Sequence, residues 1–71
     1  MPLSLVKPGC TFSISKIGGK DEMRQRLEKM GFVIGTPVMV VSELGGNLII
    51  HVKDSRVAIS KEMANKILVA A

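Results

Sequence analysis

The sequence predicts a mainly β protein: a small, closed or nearly closed barrel of about five antiparallel strands, with one helix after the first strand and a short C-terminal helix. Three observations favour this fold class. Short segments alternate polar and apolar residues as half-buried strands do, glycine-containing turn signals separate them, and crossover helices of the kind that join parallel strands are missing. Barrel closure also removes free sheet edges, which is useful for a chain rich in β-branched residues.

The first strand is predicted at residues 11–15, Thr-Phe-Ser-Ile-Ser, where polar and apolar side chains alternate. The turn signal Pro8-Gly9 precedes it and Gly18-Gly19 follows it. Asp21 is then predicted to cap a helix that runs to Met30.

The helix has one apolar face, formed by Met23, Leu27 and Met30 at i, i+4 and i+7. Gly31 stands where a helix C-cap needs a left-handed residue, and Phe32 then falls where it packs back on Leu27. The sequence therefore predicts a tight corner between this helix and the next strand.

The C-terminal half predicts alternating strands and turns. In order, these are a strand at 36–44, a hairpin turn at 45–46, a strand at 48–53, a turn at 54–55, a strand at 56–59, a short helix capped by Ser60 and running to Lys66, and a last strand at 67–69. Most of the core is expected to consist of Leu27, Phe32, Val38, Val40, Leu48, Ile50, Val57 and Ile59.

Length and composition predict one domain, residues 1–71, and a cytoplasmic location. A chain of 71 residues buries about 60% of its unfolded surface, which is enough for one core. Its single cysteine, Cys10, excludes an internal disulfide and fits a reducing compartment. The N-terminus lacks the pattern of a signal peptide, and no apolar run is long enough for membrane insertion.

Catalysis, cofactors and metals are not predicted. His51 is the only histidine, it is expected to point away from the core, and no nucleophile, phosphate loop or metal-ligand spacing accompanies it. His51 and Asp54 could form a weak site on a hairpin, but a solvated strand histidine is the favoured interpretation. We therefore predict no catalytic, no cofactor-binding and no metal-binding residues in this chain.

The basic residues are not predicted to bind nucleic acid. On the helix, Glu22 precedes Arg26 by four residues and Arg24 precedes Glu28 by four, so both arginines are expected to have acidic partners. Exposed aromatic residues for base stacking are not evident either, because the chain has two Phe and neither Tyr nor Trp.

The strands are apolar on both faces, and this predicts a protein-docking patch. We place its apolar centre on Met39, Val41 and Ile49, and a charged rim on Arg24, Arg26 and Lys29. The alternative is that the helix face covers the same strands, which would fill part of this surface.

The chain resembles the FeoA family, ferrous iron transport protein A, over residues 3–69. The resemblance is carried by Leu5 with the Pro8-Gly9 turn, the central Arg26-Leu27-Glu28-Lys29-Met30-Gly31-Phe32 with Gly35, the strand Val57-Ala58-Ile59, and the closing Ala64 with Ile67-Leu68-Val69. Three departures affect turns and caps: Ile34 and Asn47 stand where proline is common, and Ser60 where a bulkier or basic residue is frequent.

The resemblance implies an SH3-like barrel and an accessory role in ferrous iron uptake. The implied partner is the cytoplasmic part of a large permease with a GTP-binding domain, and weak self-association is also expected. The same barrel forms the C-terminal domain of metal-dependent repressors. The alternative function is therefore a stand-alone regulatory module acting on such a repressor, for which the chain itself lacks a helix-turn-helix segment.

Overall fold

The computed structural model describes residues 1–70, which form a bent antiparallel sheet of five strands and two α-helices. After a single 3-10 turn at Leu3–Leu5, the elements are β1 (Thr11–Ile17), α1 (Asp21–Lys29), β2 (Pro37–Leu44), β3 (Asn47–Val52), β4 (Ser55–Ser60), α2 (Lys61–Ala64) and β5 (Ile67–Ala70). The strand order is β4-β3-β2-β1-β5. The mainly β class, the antiparallel pairing and the positions of both helices are confirmed.

Alternation within the strands separates a core face from an outer face. In β3, Leu48, Ile50 and Val52 are buried, whereas Ile49 and His51 between them are half-buried. In β2 the alternation is interrupted because the register shifts between Val40 and Ser42, which leaves Val41 as the extra residue of a β-bulge.

The core lies between the inner face of the sheet, α1 and the N-terminal turn. Its buried members are Leu3, Val6, Ile14, Ile17, Leu27, Phe32, Val38, Val40, Leu48, Ile50, Val52, Ile59, Ala64, Ile67 and Val69. Seven of the eight predicted core residues are in this set. Val57 is the exception: it is half-buried on β4, because that strand lies at the edge of the sheet.

The corner after α1 is a Schellman motif. Gly31 has φ +101°, its N–H donates to the Glu28 carbonyl over 3.0 Å, and the Phe32 N–H donates to the Leu27 carbonyl over 2.9 Å. Phe32 and Leu27 are both 0% exposed, and they supply the apolar contact that accompanies this motif. The predicted left-handed cap at Gly31 and the predicted packing of Phe32 are confirmed.

The start of α1 differs from the prediction. Lys20 is the N-cap residue and makes no side-chain cap bond, while Asp21 is already helical. The Asp21 carboxylate instead accepts a hydrogen bond from the Arg24 guanidinium over 2.8 Å. A carboxylate in the first turn still interacts favourably with the helix dipole, so the residue is useful there without being the cap.

Helix α2 connects the two edge strands of the sheet. The Ser60 hydroxyl accepts a hydrogen bond from the Met63 N–H over 3.1 Å, so the predicted cap is confirmed. The helix ends at Ala64 rather than Lys66, and β5 then pairs with β1. At the junction, the Gly18 N–H donates to the Lys66 carbonyl over 2.7 Å, which fixes the end of β1 against the end of α2.

Candidate partner-binding surfaces

The outer face of the sheet carries an apolar patch, formed by Met39, Val41 and Ile49. Met39 and Val41 lie two residues apart on β2, and Ile49 on β3 pairs with Ser42, the residue after the bulge. All three side chains are half-buried. The register therefore brings the predicted apolar centre together on one surface, with Ala58 of β4 beside Ile49.

His51 belongs to the same outer face. Its neighbours across the strands are Met39 and Arg56, and it lines a depression of about 300 Å³ together with Lys53 and Asp54. Lys53 and Arg56 are cations that would repel a metal ion near this imidazole, whereas Asp54 is a carboxylate in the same depression. Among residues 1–70, no group of three His, Cys, Asp or Glu side chains is placed to hold a metal.

A second surface is the groove between α1 and α2, which has a volume of about 520 Å³. Met23 of α1 and Met63 of α2 are half-buried against the core, whereas the charged residues that line the groove are exposed. These charged residues are Lys20, Glu22, Arg26, Glu62 and Lys66. The groove is therefore apolar at its base and charged at its rim.

A third depression lies beside the corner after α1. Arg24 and Glu28 line it together with Ile34, whose side chain is 69% exposed. Ile34 occupies a position in the loop before Gly35, and its exposure is a local consequence of that tight turn.

The six predicted partner-binding residues are thus distributed over several surfaces. Arg26 lines the groove, Arg24 lines the depression with Ile34, and Lys29 is exposed at the end of α1. Their partner-binding role stays a prediction. The expected ion pairs Glu22–Arg26 and Arg24–Glu28 do not form. The ion pairs among residues 1–70 are instead Asp21–Arg24 and Glu43–Lys61.

Helix periodicity places Met23 on the core face, but no local pattern identifies Lys20, Met63 or Lys66 as its neighbours. The reason is that the groove depends on the pairing of β1 with β5, whose paired residues are 50 to 57 positions apart. The turn Gly18-Gly19 was the available signal, because it joins the end of β1 to the start of α1 beside Lys66.

The fold, five antiparallel strands in one sheet with two helices, defines a small SH3-like barrel protein. No helix within residues 1–70 is long and apolar enough to cross a lipid bilayer. The chain belongs to the FeoA family, a family of iron transport accessory proteins, since the model of the FeoA domain matches residues 1–71.

The relatives agree with this assignment. The chain is 37% identical over 68 residues to the Fe(2+) transport protein A of Methanocaldococcus jannaschii, covering 96% of this chain and 83% of the relative. A crystal structure of FeoA, an iron uptake regulatory protein, is 36% identical with a TM-score of 0.88, and the match covers 97% of this chain and 92% of that one.

Two further structures bear on the fold. The FeoA of Stenotrophomonas maltophilia, crystallised with zinc and described as a prokaryotic SH3 domain protein, is 26% identical with a TM-score of 0.84, covering 99% of this chain and 89% of that one. A manganese-dependent transcriptional repressor is 18% identical with a TM-score of 0.90, covering 100% of this chain and 41% of that one. The second similarity concerns the fold alone.

Proposed function

We propose that the chain is a cytoplasmic, non-enzymatic accessory protein of ferrous iron uptake that docks on the cytoplasmic part of a permease with a GTP-binding domain. The observation that carries the proposal is the family match over residues 1–71, together with a relative named for Fe(2+) transport. The apolar patch of Met39, Val41 and Ile49 supplies a surface for such contact.

The patch has the organisation expected of a docking surface. Half-buried apolar side chains form its centre; at its margin, Arg56 pairs with His51 across the strands and Lys53 lines the same depression as His51. A central apolar contact contributes affinity, whereas charges at the margin contribute selectivity and association rate. Met39 suits the centre because its flexible thioether adapts to the surface of a partner.

Binding of the purified chain to the full permease in detergent tests the proposal. We expect saturable binding of the wild-type chain, and binding weakened by about tenfold or more in Met39→Glu, as for a central interface residue. Gln25→Glu is the matched control, because Gln25 is exposed on α1 away from the sheet and the substitution adds the same negative charge. It should bind like wild type.

Two results would contradict this function. If the folded wild-type chain binds neither the transporter nor its cytoplasmic domains, the permease is not its partner. The alternative, a regulatory module acting on a metal-dependent repressor, would then be favoured, because the chain shares its fold with a segment of a manganese-dependent repressor. If Met39→Glu unfolds, Met39 is a structural residue and the docking patch lies elsewhere.

A further inference from the structure

The groove between α1 and α2 is a second concave surface, distinct from the outer sheet patch. Its volume of about 520 Å³ lies within the range of about 300–1,000 Å³ that is typical of binding pockets. Met23 and Met63 face each other there from the two helices, and both pack against the core. Two methionines give a base that can adapt to a large apolar side chain.

Gly19, which has no side chain, lines the groove beside Met23 and Lys66. A Cβ at this position would stand 3.3 Å from the Met23 sulfur and 3.7 Å from the Lys66 Cγ. The apolar base and the stem of Lys66 therefore meet at this glycine. Lys20, the next residue, lines the same end of the groove.

The charges of the rim are not matched within the groove. Among residues 1–70, Lys20, Arg26 and Lys66 have no ion-pair partner, since the pairs there are Asp21–Arg24 and Glu43–Lys61. Glu22 and Glu62 stand in the first turns of their helices, where the helix dipole already favours a carboxylate.

Lys20 has no stabilising role at its own position. It is the N-cap residue of α1, where Ser, Thr, Asp or Asn would stabilise the helix, and its side chain makes no cap bond. A residue that breaks a local rule without a local gain is typical of a functional site. Lys20, Arg26 and Lys66 are therefore the three cations of the rim without an ion pair within residues 1–70, and Lys20 and Lys66 are the two at the Gly19 end of the groove.

We infer that this groove binds a protein segment in which a large apolar residue is flanked by Asp or Glu. The apolar side chain packs on Met23 and Met63, and the flanking carboxylates pair with Lys20 and Lys66. This inference rests on the proposed docking function, because it names the chemistry of the segment that a partner presents to the chain. It assigns that segment to the groove rather than to the outer sheet patch.

Methyl NMR of the full chain with ¹³C-labelled methionine tests the inference. The five methionine methyls provide two reporters in the groove, Met23 and Met63, and an internal control on the outer sheet patch, Met39. The probes are two pools of short synthetic peptides with a central Leu, Met or Phe, one flanked by Asp and Glu and the other by Lys.

We expect the acidic pool to shift the Met23 and Met63 signals in a saturable, salt-sensitive way and to leave Met39 unchanged. The double variant Lys20→Glu/Lys66→Glu should weaken this binding roughly tenfold, since each exposed ion pair contributes up to about fivefold and reversal adds repulsion. The matched control is Lys7→Glu/Lys16→Glu, which makes the same change of net charge at exposed positions outside the groove. It should weaken binding about twofold or less.

Equal binding of both pools, no shift of Met23 and Met63 with either pool, or a shift at Met39 alone would overturn the inference. Laurate, a fatty acid with one carboxylate, is the competitor. If free laurate displaces the acidic peptides at equal concentration, the inference is also overturned, because the groove then binds small acidic amphiphiles. If the peptides fail while the wild-type chain still binds the permease, the groove inference fails and the proposed function stands.

Discussion

Replacing Gly31 by alanine is expected to destabilise the protein by about 1 kcal/mol, and replacing it by valine by about 2 kcal/mol or more. The cause is the backbone, because Gly31 has φ +101°. An L-residue held in a left-handed backbone conformation destabilises the folded state by roughly 1–2 kcal/mol. Replacing glycine also lowers the conformational entropy of the unfolded chain, which offsets about 0.4–1 kcal/mol of this cost.

The surroundings of Gly31 contribute little to this cost for alanine. A Cβ would lie 3.4 Å from the Lys53 Cδ and 3.7 Å from a Val52 methyl, which are ordinary contacts. Valine adds two methyl groups against the same neighbours, and a β-branched residue at positive φ is a conformational outlier. Alanine therefore isolates the backbone effect, and valine adds crowding to it.

Thermal unfolding followed by circular dichroism measures the effect. For a chain of this size, 1 kcal/mol corresponds to a shift in Tm of about 4–8 °C, so alanine should lower Tm by roughly that amount and valine by roughly twice as much. Gly18→Ala is the matched control. Gly18 lacks a positive φ, and its Cβ would meet only the Lys66 carbonyl at 3.6 Å, so its Tm should stay unchanged or rise slightly.

A D-alanine at position 31 separates backbone strain from loss of space. It adds a methyl group at the other α-hydrogen of Gly31 and has the opposite backbone preference, so the synthetic D-alanine protein should be at least as stable as wild type. An unchanged Tm in both L-variants would refute the Schellman assignment. Equal destabilisation by L- and D-alanine would show that space, not φ, limits this position.

Three further predictions concern the second helix, the charged residues of α1 and iron. Ser60→Ala removes the acceptor of the Met63 N–H and should lower the unfolding free energy, measured in urea, by about 1 kcal/mol. The control Ser42→Ala, at an exposed strand residue, should change the unfolding free energy by less than about 0.5 kcal/mol. Arg24→Glu/Arg26→Glu on α1 should slow association with the permease and reduce its salt dependence, with a smaller effect on dissociation, as measured by surface binding kinetics; a change confined to dissociation would contradict long-range attraction by these charges. Anaerobic calorimetry should show no sub-micromolar, stoichiometric Fe(II) binding to the isolated chain, because Lys53 and Arg56 flank His51; tight binding that disappears in His51→Ala would prove this wrong.

The parts of the fold that depend on short-range rules could be predicted from the sequence. The corner at Gly31 follows from helix-capping chemistry, and the Ser60 cap and the hairpin at Gly45-Gly46 follow from turn chemistry. The inward and outward residues of β3 follow from simple alternation. In each case neighbouring residues carry the whole signal.

The parts that failed depend on competition or distance. Asp21 is a good cap residue by type, but the helix begins one residue earlier than predicted, with Lys20 at the N-cap. The Asp21 carboxylate instead accepts a hydrogen bond from Arg24. The bulge at Val41 and the groove between the helices depend on pairings across the sheet that no local pattern encodes. The outer sheet patch was predictable from alternation, whereas Lys20 and Lys66 became neighbours only through the fold.

The strand order β4-β3-β2-β1-β5 places the sheet's long-range pairing between β1 and β5. The β2–β3 and β3–β4 hairpins join residues close in sequence, whereas the paired residues of β1 and β5 are 50 to 57 positions apart. Because the entropy cost of closing a loop grows with its length, we expect the β1–β5 pair to form late in folding. Lys66 and Met63 lie directly before β5, so the groove is complete only when that strand is docked. Occupancy of the groove would therefore slow hydrogen exchange at the amides of β5, although no residue of that strand lines the groove.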